Sequence, residues 1–185
     1  MRGRQTVRDM VLSLAVIGVL VGAIYFFIPH DDSADAEQNA VKRVDYRVEL
    51  ITARRAAPYP VAAPEGLPET WRATSVSYKA SNDRSGGAWH LGMLDPEQQY
   101  AAVEQSDAPA QPFIRSVTLG ATKVEGKQAV GNQKWDRYQG EKYRALVREE
   151  AGVTTVVTGT APYGRLADLA AALVAKRAED GPKKG

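Results

Sequence analysis

Nineteen consecutive residues, Met10–Ile28 (MVLSLAVIGVLVGAIYFFI), carry no charge. Wound as an α-helix at about 1.5 Å per residue, such a run reaches roughly 28 Å, close to the ~30 Å hydrocarbon thickness of a bilayer. It is read as a membrane-spanning helix from Met10 to Ile28. Arg2, Arg4 and Arg8 precede it, whereas Pro29, His30, Asp31 and Asp32 follow it. Basic residues stay on the cytoplasmic side, and Tyr25, Phe26 and Phe27 suit the far water–lipid boundary. The expected topology is single-pass, with residues 1–9 cytoplasmic and the C-terminal body extracytoplasmic. Gly18 and Gly22 stand four apart in the span, a spacing that lets two helices approach closely. Ala34-Asp35-Ala36 offers the competing reading of a cleaved leader. The apolar run is longer than a usual leader core of 7–15 residues, and acidic residues separate it from Ala36. Both readings export residues 37 onward, and with no cysteine there is none to acylate.

The charge balance narrows the partners. The chain is +2 overall, but residues 1–9 hold three arginines and one aspartate, leaving 21 basic against 21 acidic residues after the span. The exported part is formally neutral and lacks the basic excess that displaces counterions from nucleic acid. A chain free of cysteine has no disulfide, so its stability must come from packing.

Residues 29–43 read as a small, acidic spacer and residues 44–178 as one α+β domain, with residues 179–185 a disordered tail. Val44–Leu50 alternates apolar and charged residues, the pattern of a half-buried strand. Four prolines between Ala57 and Pro68 predict an extended, irregular stretch. Strands are expected at Trp71–Lys79, Ala88–Leu94, Phe113–Leu119, through Trp135–Tyr138, at Lys142–Glu149 and at Val153–Thr158. Asp95 followed by Pro96 and Gln98 reads as the capped start of a short helix reaching about Gln105. A second helix is expected from Tyr163 to Lys176, where Leu166, Leu169, Ala170, Leu173 and Val174 form one stripe. Joined by short turns, six or seven mostly antiparallel strands would be packed by two helices.

Few constellations carry chemistry. His30 and His90 are the only histidines, too few for a zinc site without several carboxylates. Neither a metal nor a cofactor is expected. Ser85 lies in a Gly-flanked loop near His90 but does not match the Gly-x-Ser-x-Gly elbow. Gly120–Gln128 has five residues between its glycines where a phosphate loop needs four. Trp71, Trp89 and Trp135 are the large side chains available for a core. Should Trp89 and Trp135 instead share an open groove with His90 or Arg115, that groove would suit a glycan or peptide.

The blocks Pro60-Val61-Ala62-Ala63-Pro64-Glu65-Gly66-Leu67-Pro68-Glu69-Thr70-Trp71-Arg72, Trp89-His90-Leu91-Gly92, Tyr100 before Glu104-Gln105-Ser106, Gly126 through Trp135, and Val156–Ala161 leading to Leu166–Leu173 follow the anchor in a fixed order. In this order the chain resembles the bacterial envelope family called domain of unknown function 4245 (DUF4245). The resemblance implies a single-pass protein with an extracytoplasmic domain, and it brings no catalytic residues. The strand-rich core is similar in outline to Mog1/PsbP-like sandwiches, a likeness of fold alone.

The function expected from the sequence is therefore a non-enzymatic envelope module, held to the lipid bilayer by residues 10–28, that binds a protein, glycan or lipid. The alternative is a cell-wall hydrolase or transferase whose fold gathers carboxylates such as Asp95, Asp136 and Glu149. Paired carboxylates within about 5–10 Å in one cleft would favour it.

Overall fold

The computed structural model describes Met10, Val11, Leu14 and Ile17, residues 43–80 and residues 86–178. The expected span lies mostly outside these residues, as do residues 1–9, the spacer up to residue 42, the Ala36 site, Ser85 and the tail 179–185. Met10, Val11, Leu14 and Ile17 are helical and exposed. Among the described residues no helix is long and apolar enough to cross a membrane. The chain divides into two units, Met1–Val41 and Lys42–Gly185, and every described strand belongs to the second.

The helices of this second unit are α1 (Arg47–Ala56), α2 (Ala110–Val117) and α3 (Tyr163–Ala171). Its strands are β1 (Val61–Pro64), β2 (Arg72–Lys79), β3 (Ala88–Leu94), β4 (Tyr100–Ser106), β5 (Thr122–Val130), β6 (Gln133–Gln139), β7 (Arg144–Glu150), β8 (Val153–Gly159) and β9 (Leu173–Lys176). Seven strands form one sheet in the order β2-β3-β4-β8-β7-β6-β5, and β1 pairs with β9 in a second, two-stranded sheet. Every pairing is antiparallel. The domain is α+β, the class expected from its order of elements, but among the described residues three helices pack it where two were expected.

Alternation makes the strands two-faced. In β3, Trp89, Leu91 and Met93 are buried on one side while His90 and Leu94 stand half-exposed on the other. The first side joins Ala73, Ala101, Val103, Trp135, Leu146 and Val157 to Ala53 and Ala57 at α1 and to Leu166 and Leu169 of α3, forming the main core. On the second side a smaller cluster packs Ile114 of α2 against Tyr138, Ala145, Val147 and Val156, which come from β6, β7 and β8.

Five local expectations are corrected. Val44–Leu50 is not a strand: α1 begins at Arg47 and turns Leu50, Ala53 and Ala57 toward the core. A 3.6-residue period thus defeats the two-residue alternation, which would have buried the exposed Val48. Asp95 starts a turn instead of a helix. Its Oδ1 accepts the N–H groups of Glu97 and Gln99, both at 2.8 Å, and Gln98 takes φ 61°. The chain then enters β4. Phe113–Val117 is helical and Thr118 and Leu119 form the turn after it, with Pro112 in the first turn of α2, where its missing N–H costs nothing. The terminal helix ends at Ala171; Leu173–Lys176 becomes β9 and pairs with Val61–Pro64, which is short strand instead of irregular chain.

Candidate functional site

The sequence-based groove does not assemble. Trp89 and Trp135 are fully buried members of the main core. The Trp89 indole N–H donates to the Ala62 carbonyl at 3.0 Å, and the Arg148 guanidinium lies 5.3 Å from the Trp135 ring centroid. His90, next to Trp89 in β3, projects to the opposite face. Arg115 is exposed on α2 and lines a shallow depression with Gln111, Pro112, Lys123 and Tyr138. The three carboxylates come from separate elements, and only Asp136 and Glu149 act on a common group, Lys123. Asp95 is buried and organises the β3–β4 turn. Asp136 is ion-paired with Lys123 at 2.7 Å and Lys127 at 3.4 Å. The Lys123 hydrogen bond, with Lys127 assisting, holds the Asp136 carboxyl below its ordinary range, the reverse of what a general acid needs. Glu149 sits near the end of β7, opposite Thr154.

What β2, β3 and β4 bring together is a different set. Toward these strands the second face of the sheet turns polar, beyond the reach of the cluster around Ile114. His90 lies directly opposite Glu104 across β3 and β4, and opposite Ser77 across β2 and β3. The imidazole Nδ1 is 2.6 Å from Glu104 Oε1, and Nε2 is 2.8 Å from Ser75 Oγ. An ionised carboxylate only accepts hydrogen bonds, so Nδ1 carries a proton. That tautomer leaves Nε2 as the acceptor facing the Ser75 hydroxyl.

Ser75 owes its position to an irregularity. Ala73 pairs with Met93 and Ser75 with Gly92, so two residues of β2 oppose one of β3 at Thr74. Without that bulge, Ser75 would share the buried face of Ala73. The extra residue flips it outward, and Val76 takes the inward place instead. Gly92 completes the arrangement. A Cβ there would collide with Ser75 Oγ and stand 3.2 Å from the Tyr100 hydroxyl, so both oxygens lie over the same bare stretch of backbone.

Tyr100 belongs to the same face, its ring 5.9 Å from that of Tyr143. Burial, then the charge of Glu104 and the neighbouring Tyr143, push its phenol up to about 12. It is therefore a hydrogen-bond donor at neutral pH, and its O–H has no acceptor among the described residues. The Glu104 side chain is 13% exposed and that of His90 28%, so the imidazole edge meets solvent above a largely desolvated carboxylate. Among the described residues no cluster of three or more metal-ligating side chains is present.

Ser75, His90, Glu104 and Tyr100 come from three strands. Sequence reasoning reached His90 alone, because periodicity gives neither strand partners nor the bulge at Thr74. The only local sign was an imidazole on the polar side of an otherwise apolar strand.

A family described as "Protein of unknown function (DUF4245)" matches residues 2–173. The chain belongs to that family. No curated protein and no solved structure matches it.

Proposed function

We propose that this DUF4245 protein is a single-pass membrane protein whose extracytoplasmic domain, residues 44–178, binds a component of the cell envelope on the polar face of β2, β3 and β4. The uncharged run Met10–Ile28, the arginines before it and the aspartates after it support the topology. The first helix beyond the spacer is consistent with a nearby lipid surface. Val48 is 74% and Ile51 51% exposed on α1, on a face that also carries Arg47 and Arg55. Exposed apolar side chains flanked by guanidinium groups suit an anionic bilayer surface.

One observation carries the binding: a polar patch with a hydroxyl, an imidazole, a carboxylate and a phenol that has no acceptor among the described residues lies outside both hydrophobic clusters. Such convergent polar groups on a rigid sheet orient a ligand. The carboxylate-based hydrolase has no comparable support, since Asp95 and Asp136 are both committed to structure.

A photo-crosslinking residue at Ser77 tests the proposal in living cells, with the same residue at exposed Lys134 on β6 as control. A light-dependent adduct from position 77 and none from position 134 is expected. No adduct at 77, or equal adducts at both, would overturn it.

A further inference from the structure

The geometry points to Ser75 as an activated nucleophile, with His90 its general base, Glu104 the positioning residue and Tyr100 the oxyanion donor, acting on a carboxylic ester carried by a larger molecule. The inference rests on the polar face being a binding surface and adds chemistry to it. Two contacts define the relay: Ser75 Oγ to His90 Nε2 at 2.8 Å and His90 Nδ1 to Glu104 Oε1 at 2.6 Å. A nucleophile within hydrogen-bond reach of a base, itself oriented by a third group, is the arrangement that activates a hydroxyl near neutral pH. Two costly features serve it. The bulge at Thr74 interrupts the ladder and turns Ser75 outward, and Gly92 leaves bare backbone where any side chain would displace the serine oxygen.

The step balances without a cofactor. Ser75 Oγ attacks the ester carbonyl carbon while its proton moves to His90 Nε2. The carbonyl oxygen becomes an oxyanion that accepts the Tyr100 O–H. Collapse expels the alcohol oxygen, which takes the proton from Nε2 and leaves an acyl group on Ser75. Water, deprotonated by the same imidazole, releases the acid and restores the serine. Throughout, Glu104 keeps its hydrogen bond to Nδ1 and so fixes the imidazole's orientation. One side-chain donor gives modest oxyanion stabilisation, which suits an ester more than an amide. The face is open, so it admits an acyl group borne on a bulky carrier.

The probe is a fluorophosphonate, whose phosphorus takes Ser75 Oγ as fluoride leaves. The full-length chain in detergent is labelled, and the modified residue is found by peptide mass. A single adduct on Ser75 is expected, absent in Ser75→Ala and unchanged in Ser116→Ala, at an exposed serine of α2. Labelling should slow by ~100-fold in His90→Ala, the usual contribution of a general base. Glu104→Gln should slow it as well and abolish a far-downfield imidazole N–H proton resonance seen in the parent, a signature that a merely structural carboxylate would not produce. Circular dichroism checks that each variant is folded. An unlabelled Ser75, or labelling as fast in folded His90→Ala or Glu104→Gln as in the parent, would overturn the inference. Labelling needs no envelope ligand. A labelled Ser75 with no crosslink from position 77 would remove the binding proposal alone, and the converse result would remove only the chemistry.

Discussion

The side-chain amide of Gln105 accepts the backbone N–H of Ala62 at 2.6 Å, joining two residues 43 apart in sequence and two different sheets. Its Nε2 donates to Thr155 Oγ1 at 3.0 Å, and the Trp89 indole N–H donates to the Ala62 carbonyl. Both main-chain polar groups of Ala62 are thus satisfied by side chains of the large sheet, which fastens β1 across the main core. Gln105→Leu leaves a buried N–H without an acceptor and should cost about 1–3 kcal/mol. The urea midpoint followed by tryptophan fluorescence checks this, and an unchanged midpoint would show that β1 is held by packing alone.

Two glycines should respond oppositely to alanine. A Cβ on Gly159 would strike the Tyr100 carbonyl oxygen and come within 2.7 Å of its carbon, both backbone atoms of the paired strand β4. Gly159→Ala should therefore destabilise by at least about 2 kcal/mol, among the larger single-residue effects. Gly164, in the first turn of α3, has nothing within 4 Å of its Cβ position. Gly164→Ala should stabilise by about 0.5 kcal/mol through reduced freedom of the unfolded chain. Thermal melts of the two variants check both signs.

Alkaline pH should weaken the fold through its buried phenols. Tyr100 is pushed up to about 12 by burial, then Glu104 and Tyr143, and burial drives Tyr59 higher still. A group whose folded value is raised contributes stability that is complete below its unfolded value, near 10, and is lost as pH rises through the folded one. Stability should fall between about pH 10 and pH 12, and Tyr100→Phe should flatten part of that fall. Urea midpoints against pH test this; identical slopes would contradict it.

Asp136 acts at the other end of the scale. Its lowered value means that its contribution exists above the unfolded value, roughly pH 4, and disappears as pH falls through the folded one. Asp136→Asn should melt below the parent at pH 7, and the gap should close as the pH drops below that range. The partners Lys123 and Lys127 are more than half exposed, so added salt should narrow the gap too.

These sites show what the residue order alone could and could not reveal. Ala88–Leu94 and Val153–Gly159 are legible because their β-branched and alternating residues meet a sheet buried on one or both faces. Arg47–Ala56 is not, since Val44, Tyr46, Val48 and Leu50 fit a strand as well as Leu50, Ala53 and Ala57 fit a helix. The stripe of Leu166 and Leu169 runs on through Leu173 and Val174, and only pairing with Val61–Pro64 decides where helix becomes strand. Asp95 and Pro96 signal a helix start and a turn equally. The relay was hidden for a stronger reason: Ser75, His90 and Glu104 are 15 and 14 residues apart, and one unpaired residue at Thr74 decides which way the serine points.

Location is the premise on which ligand and chemistry both depend, and it has a direct measurement. A reporter that is active only outside the cytoplasm, fused after Gly185 of the full chain, should be active in cells, and membrane-bound activity should be lost when residues 1–28 are removed. A silent C-terminal fusion, with the same reporter active when fused before Met1, would contradict an extracytoplasmic domain held by Met10–Ile28.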